Sequence, residues 1–244
     1  MMSYDLYWSF RSPYSYFIVP RLLEIQRTYD VTCNVLPVYP LAVRTPEFFD
    51  ARDPLWTPYL LRDTTRQAEF LGLPYRWPRP DPVRMVAGDY RVEQPYIHRL
   101  THLGVAAAER RRGLPFLREV SHIIWSGEVD NWHEGDHMRQ ATERAGLDYD
   151  ELSHAVDNDA DRYRAAVEQN QRDQREAGHW GVPMMVFGGE PFFGQDRVDQ
   201  LVWRMEQQGL SPRQIVCSPC SNGSLLTADQ VSLGLRGSAP SSAG

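Results

Sequence analysis

Ser12 and Ser15 stand three residues apart around Pro13 and Tyr14, directly after an aromatic-rich run. Serine is a favoured helix N-cap and proline a favoured first helical residue, so Ser12-Pro13 marks a helix start. A hydroxyl there lies beside unpaired backbone N–H groups and the positive end of the helix, and can donate a hydrogen bond to a bound sulfur. It cannot itself cycle through a disulfide. Taken alone, the same residues are an ordinary cap. Far along the chain, Gly181-Val182-Pro183 precedes a short apolar run. Only ~5–6% of X-Pro bonds in folded proteins are cis, so the sequence does not set the isomer. With Pro183 cis, the Val182 backbone is free to pair with an extended thiol peptide. A third stretch, Gly194-Gln195-Asp196-Arg197, opens the last helical pattern. Backbone amides at a helix start can take a carboxylate, and Asp196 at the cap can take an ammonium. Together they suit the head group of an α-amino acid.

Other reactive residues carry weaker signals. His98 and His102 are spaced i, i+4, a zinc-compatible spacing, but lack the glutamate of an H-E-x-x-H helix and read as solvated. His133 and His137 repeat the spacing near Glu134 and Asp136, and no metal is assigned to either pair. Cys217-Ser-Pro-Cys220 has dithiol spacing but lacks the strand-to-helix junction that tunes a redox pair. With Cys33 these make three cysteines, too few for a disulfide framework. The aromatics Tyr7, Trp8, Tyr14, Tyr16, Trp56, Tyr59, Trp77 and Trp125 read mainly as core, some lining a flat apolar pocket.

All 26 basic residues are arginine, and none is lysine. Arginine-rich codon usage accounts for this without a functional cause, yet the absence is informative. Schiff-base chemistry on a protein lysine, the P-loop and the kinase strand lysine are all excluded. A net charge of −6 argues against a nucleic-acid binder. The run Arg110-Arg111-Arg112 reads as a solvated helix end. No apolar stretch reaches membrane-spanning length, and the first residues lack a secretory pattern, so the expectation is a cytoplasmic protein.

The elements that must position these residues follow from periodicity. Residues 4–10 alternate as a strand, Ser12-Pro13 opens a helix, and 31–38 is a second, β-branched strand. From 41 to 180 the character is helical: patterns at 59–71, 94–112, 115–126, 133–145 and 148–178, the last broken near Asn158. An extended, proline-punctuated segment lies at 73–92. Strand character returns at 183–187 and 190–193 around Gly188-Gly189, followed by a helix over 196–207. Residues 211–244 read as a tail without a core, expected to be disordered. The expectation is an α/β protein: a discontinuous thioredoxin-like domain (1–40 and 181–209), β-α-β then β-β-α, interrupted by a helical insertion (41–180).

Ser-Pro-Tyr-Ser-Tyr after a strand, Gly-Val-Pro before one, and Phe-Phe-Gly-Gln-Asp-Arg after a hairpin resemble the 2-hydroxychromene-2-carboxylate isomerase and kappa-class glutathione transferase family. That family belongs to the DsbA-like branch of the thioredoxin fold. The resemblance runs over about residues 3–208 and includes Tyr59-Leu60, Asp63, Arg66 and Gly72-Leu73-Pro74. It implies that Ser12 hydrogen-bonds the glutathione sulfur and that Val182, before Pro183, pairs with the cysteinyl unit. It also implies that Gln195 and Asp196 hold the γ-glutamyl head. Family members often carry a lysine near the glycine end of glutathione; here Arg44 or Arg52 would take that carboxylate, with a planar fork in place of a point charge. Family members also commonly have Asn-Ser where this chain has Asp81-Pro82-Val83, a segment bordering the second-substrate pocket.

The implied activity is a glutathione-dependent isomerase or transferase acting on an aromatic or α,β-unsaturated carboxylate. The implied partners are that small molecule and a second copy of the chain in a homodimer, with no nucleic acid, membrane or metal. The alternative is a non-catalytic DsbA-like module that binds a thiol or peptide without redox activity.

Overall fold

Alternation at the start of the chain produces β1 (Met2–Trp8), with Tyr4, Leu6, Tyr7 and Trp8 buried. The computed structural model describes residues 2–213. β1 pairs in parallel with β2 (Val31–Pro37), from Met2 opposite Val31 to Trp8 opposite Pro37. The crossover between them is α1 (Pro13–Thr28), and Ser12 caps it as expected: its Oγ accepts from the Ser15 N–H at 3.2 Å. On its other side β1 pairs antiparallel with β3 (Met184–Phe187), which returns into β4 (Glu190–Phe193). The turn uses Gly188 and Gly189 at φ 59° and 80°, a backbone that side chains resist. The four-stranded sheet therefore has the order β2-β1-β3-β4, and it draws on both ends of the chain.

Between the two halves run α2 (Leu41–Arg44), α3 (Glu47–Asp50), α4 (Trp56–Leu71), α5 (Ile97–Glu109), α6 (Gly113–Trp125), α7 (His137–Arg144), α8 (Tyr149–Asn158) and α9 (Ala160–Glu176). A short 3₁₀ turn at Gln195–Arg197 leads into α10 (Val198–Glu206). One core joins sheet and helices, from Leu6 and Trp8 through Phe17, Phe116 and Val120 to Val167. Both of its indole N–H groups at the sheet end are satisfied: Trp8 Nε1 donates to Ser15 O at 2.8 Å, and Trp125 Nε1 to Phe10 O at 2.9 Å. Both bonds end on the β1–α1 junction, so the core fixes the place where Ser12 sits.

The differences from expectation are local. The first strand starts at Met2 and stops at Trp8, because Phe10 turns inward onto Trp8 and Phe116. Two four-residue helices, α2 and α3, precede the first helical pattern expected at 59–71. Residues 211–213, assigned to the tail, pair beside β2: Asp30 N–H donates to Ser211 O and Arg213 N–H to Thr28 O. Residues 214–244, with Cys217 and Cys220, lie outside the described residues. Among the described residues no helix is long and apolar enough to cross a membrane.

His102, expected to be solvated, is buried on α5. Its Nε2 meets the Tyr39 hydroxyl at 2.7 Å and its ring stacks on Tyr163. Burial, with the charges of His98, Arg164 and Arg99, lowers its pKa from 6.5 to about 4. The unfolded chain thus binds the extra proton between those values, so stability is complete above pH 6.5 and falls as pH drops toward 4. Urea denaturation across that window should show the slope, and His102→Gln should flatten it. An unchanged slope in the variant would remove His102 as its source.

Candidate active site

The first turn of α1 faces the loop before β3. Ser12 Oγ lies 3.5 Å from Val182 O, and the Val182–Pro183 peptide is cis. Pro183 is buried and Val182 half-buried. Ser12 Oγ already accepts from Ser15 N–H, so the hydroxyl proton is directed away from the helix, toward the Val182 carbonyl. Ser15, three residues on, has its Oγ buried without a hydrogen-bond partner. The structure brings Ser12, Val182 and Pro183 into one place.

Gln195 and Asp196 arrive at the same loop by a backbone bond, Gly194 N–H to Pro183 O at 3.0 Å. Gln195 is buried and its Nε2 donates to Gln67 Oε1 on α4 at 3.3 Å. Asp196 does not cap the helix. Gly194, at φ 110°, occupies the cap position, and Asp196 sits inside the 3₁₀ turn paired with Arg197 at 2.5 Å. A Cβ on Gly194 would meet Asp196 Oδ1 at 2.5 Å, so glycine is what lets that carboxylate fold back over the turn.

α4 closes another side of the first turn. The Tyr14 hydroxyl donates to Asp63 Oδ2 at 2.5 Å, and Arg66 reaches Asp63 Oδ1 at 2.5 Å. The Tyr14 hydrogen bond, then Arg66, holds the Asp63 carboxyl below its usual pKa; burial and Asp63 in turn push Tyr14 up. Tyr14 is thereby fixed as a neutral donor to Asp63.

Arg44 and Arg52 have different environments. Arg44, at the end of α2, is partly buried and reaches the loop before Val182: Nη1 donates to Gln174 Oε1 at 2.8 Å and Nη2 to Trp180 O at 2.5 Å. Arg52 lies over the Phe49 and Trp56 rings, at 5.5 and 5.8 Å from their centroids. Of the aromatics expected mainly in the core or lining a pocket, Trp56 and Tyr59 are exposed.

The chain matches the DSBA-like thioredoxin domain family over residues 4–206. It belongs to that family. Solved structures with the same fold include a 2-hydroxychromene-2-carboxylate isomerase, 21% identical, covering 85% of this chain and 96% of its own, with a TM-score of 0.64. A probable DsbA oxidoreductase from Streptomyces coelicolor is 18% identical over 89% of this chain and 95% of its own, TM-score 0.59. The cytosolic disulfide reductase DsbM from Pseudomonas aeruginosa is 15% identical over 85% and 98%, TM-score 0.57. A search of curated protein sequences gives no match. At these identities the likeness establishes the DsbA-like fold, and the chemistry has to be argued from the residues.

In this DsbA-like protein the start of α1 carries no thiol. The one described cysteine, Cys33, is buried on β2, where burial raises its pKa to about 12. Among the described residues no group of three or more His, Cys, Asp and Glu side chains is placed to hold a metal.

Sequence reading missed Arg11. It is largely buried and pairs with Asp81 through two bonds, Nε to Oδ1 at 3.2 Å and Nη2 to Oδ2 at 3.1 Å. Asp81 also accepts from Trp77 Nε1 and from the Val83 N–H. The residue before Ser12 is thus clamped to the extended 73–92 segment, and the aspartate at 81 has a cation that it answers. A cavity of about 470 Å³ opens beside this clamp, lined by Arg11, Arg84, Tyr90 and Tyr96 among others. A larger one, about 830 Å³, runs along α1 from Tyr16 to Arg27 against α6 and is lined by none of Ser12, Tyr14 and Ser15.

Asp81→Asn should remove one charge of the Arg11 pair while keeping its shape. Breaking a buried pair costs about 3–5 kcal/mol, less here because Asp81 keeps a quarter of its side chain in water. Denaturant midpoints test this, and a change within about 0.5 kcal/mol, the range of ordinary surface substitutions, would mean the clamp carries no weight.

Proposed function

We propose that the protein is a glutathione-dependent isomerase or transferase acting on an aromatic or α,β-unsaturated carboxylate. The observation that carries this reading is Ser12: a capping hydroxyl whose proton faces the Val182 carbonyl next to cis-Pro183, with serine and not cysteine at both 12 and 15. Such a site can hold the sulfur of a bound thiol and cannot exchange disulfides of its own. That separates it from the oxidoreductases that share its fold. A free thiol with pKa ~8.5 is mostly protonated at neutral pH, and each unit of lowering needs ~1.4 kcal/mol of preferential thiolate stabilisation. The Ser12 hydrogen bond and the helix N-terminus together supply roughly one to two units.

In this reading the Val182 backbone pairs with the cysteinyl unit, Gln195 and Asp196 hold the γ-glutamyl head, and Arg44, with Arg52 nearer the surface, meets the glycine carboxylate. The electrophile occupies the cavity beside Arg11. The thiolate adds to the electrophilic carbon and turns a double bond into a rotatable single bond. Expulsion of the same thiolate then restores the double bond in the other geometry, the isomerase outcome. Protonation of the carbanion and release of the adduct is the transferase outcome. The protein acts as a homodimer in the cytoplasm. A non-catalytic thiol- or peptide-binding module is the second reading, favoured by the same Val182 backbone.

Glutathione should bind with a thiolate absorbance visible at neutral pH, and Ser12→Ala should raise the apparent pKa of the bound thiol by about one unit, ~1.4 kcal/mol. Failure of glutathione to bind would sink the enzyme reading. Binding with an unchanged thiolate titration in Ser12→Ala would remove the role given to Ser12. Binding and a thiolate without turnover of any unsaturated carboxylate would favour the second reading.

A further inference from the structure

Gln174 is 0% exposed, a polar side chain wholly inside α9. Both ends of its carboxamide are engaged. Oε1 accepts from Arg44 Nη1 at 2.8 Å, and Nε2 donates to Gly181 O at 2.7 Å. The orientation follows from chemistry: a guanidinium only donates and a carbonyl only accepts, so the amide cannot be reversed. One side chain thus ties the end of α2 to the residue before Val182.

Gly181 has no room to move in response. Its N–H donates to His179 Nδ1 at 2.8 Å, the His179 ring stacks on Phe193 with centroids 4.0 Å apart, and a Cβ on Gly181 would lie 2.3 Å from the Phe193 ring. The loop is therefore rigid at the point where Gln174 holds it.

Arg44 is the unusual partner. Among the described residues its hydrogen bonds go to an amide and a carbonyl, with no carboxylate in ion-pair range, and its Nε is buried without a partner. Burial, then the neighbouring Arg175, lowers its pKa to about 10, so it is still a cation at neutral pH. Arg11, similarly withdrawn from water, is answered by Asp81. A glutamate at 174 would answer Arg44 in the same way; a glutamine keeps the geometry and leaves the charge open.

We infer that Gln174 is a positioning residue that holds Arg44 charged and unneutralised beside the Val182 backbone, so that the site selects a thiol carrying a carboxylate at the end running toward Arg44. The identity of that thiol as glutathione rests on the proposed function; the open charge does not.

Two measurements separate them. In the first, acetate is titrated into ¹⁵N-arginine-labelled protein. The Arg44 Nε–H signal should shift in the native protein and stay still in Gln174→Glu, where the new carboxylate occupies the guanidinium. No shift in the native protein, or an equal shift in the variant, overturns the inference whether or not glutathione binds. In the second, affinities for glutathione and its glycine ethyl ester are compared. The native protein should prefer the free acid tenfold or more, and Gln174→Glu should bring the ratio near one without moving the thiolate titration of bound γ-glutamylcysteine. A merely structural role would weaken both ligands equally and keep the ratio, which overturns the inference. An acetate response lost in the variant, together with no binding of either thiol, supports the open charge and defeats the glutathione reading alone.

Discussion

The Ser12 hydroxyl has a single proton, and the architecture around it decides where that proton points. Its oxygen is engaged by the Ser15 N–H as the cap of α1, so the proton is left for an acceptor outside the helix. The acceptor present is the Val182 carbonyl at 3.5 Å, a contact long enough for a better acceptor to displace. A thiolate laid between α1 and the Pro183 loop would be such an acceptor, and the helix N-terminus would favour its charge. Everything else in the site serves to keep two segments, 170 residues apart in sequence, facing each other across that proton.

Two devices do this from opposite sides. The Arg11–Asp81 pair and the indole bonds of Trp8 and Trp125 hold the strand-to-helix turn in the core. On the other side, α9 presents polar side chains to backbone that would otherwise be unsatisfied. Asn170 donates to Pro37 O, Gln171 accepts from the Tyr39 N–H, and Gln174 bridges Arg44 and Gly181. Buried loops need such partners, because an unpaired buried backbone group costs about as much as a lost hydrogen bond. The irregular connections on both sides of the sheet are rigid because helices reach in to complete them.

The ends of the chain were legible because strand alternation, a Ser-Pro cap and a Gly-Gly hairpin are local signals. The 31–37 and 190–193 strands and the break near Asn158 needed only neighbours a few residues away. The site was legible in part. Ser12, Val182 and Pro183 meet as their motifs implied, whereas Asp196 was read as a cap because aspartate usually is one, and Gly194 takes that place through a backbone it alone tolerates. Arg11 and Asp81 are 70 residues apart, and no periodicity connects them. Gln174 left a faint trace: with Tyr163 and Val167 it continues one buried stripe of α9, and a glutamine on an apolar stripe signals a buried partner. The burial of His102 was not legible because its neighbours, Tyr39 beyond the end of β2 and Tyr163 on α9, are distant in sequence.

The arginine-only composition takes on a structural meaning at two positions. Arg11 grips both oxygens of Asp81 while its plane lies near the Trp77 and Tyr90 rings. Arg44 directs two hydrogen bonds, one to a side chain and one to the backbone, from nitrogens fixed in a common plane. A lysine has one nitrogen on a flexible stem and could not grip both oxygens of Asp81 in a planar fork or hold two acceptors from separate, coplanar nitrogens. Guanidinium also resists deprotonation: burial brings Arg44 down only to about 10, well above neutral pH, while an amine starts near 10.4 and has about two units less to lose. Whatever codon usage brought arginine to these positions, a partly buried cation left without a carboxylate keeps its charge here by a wide margin because it is arginine.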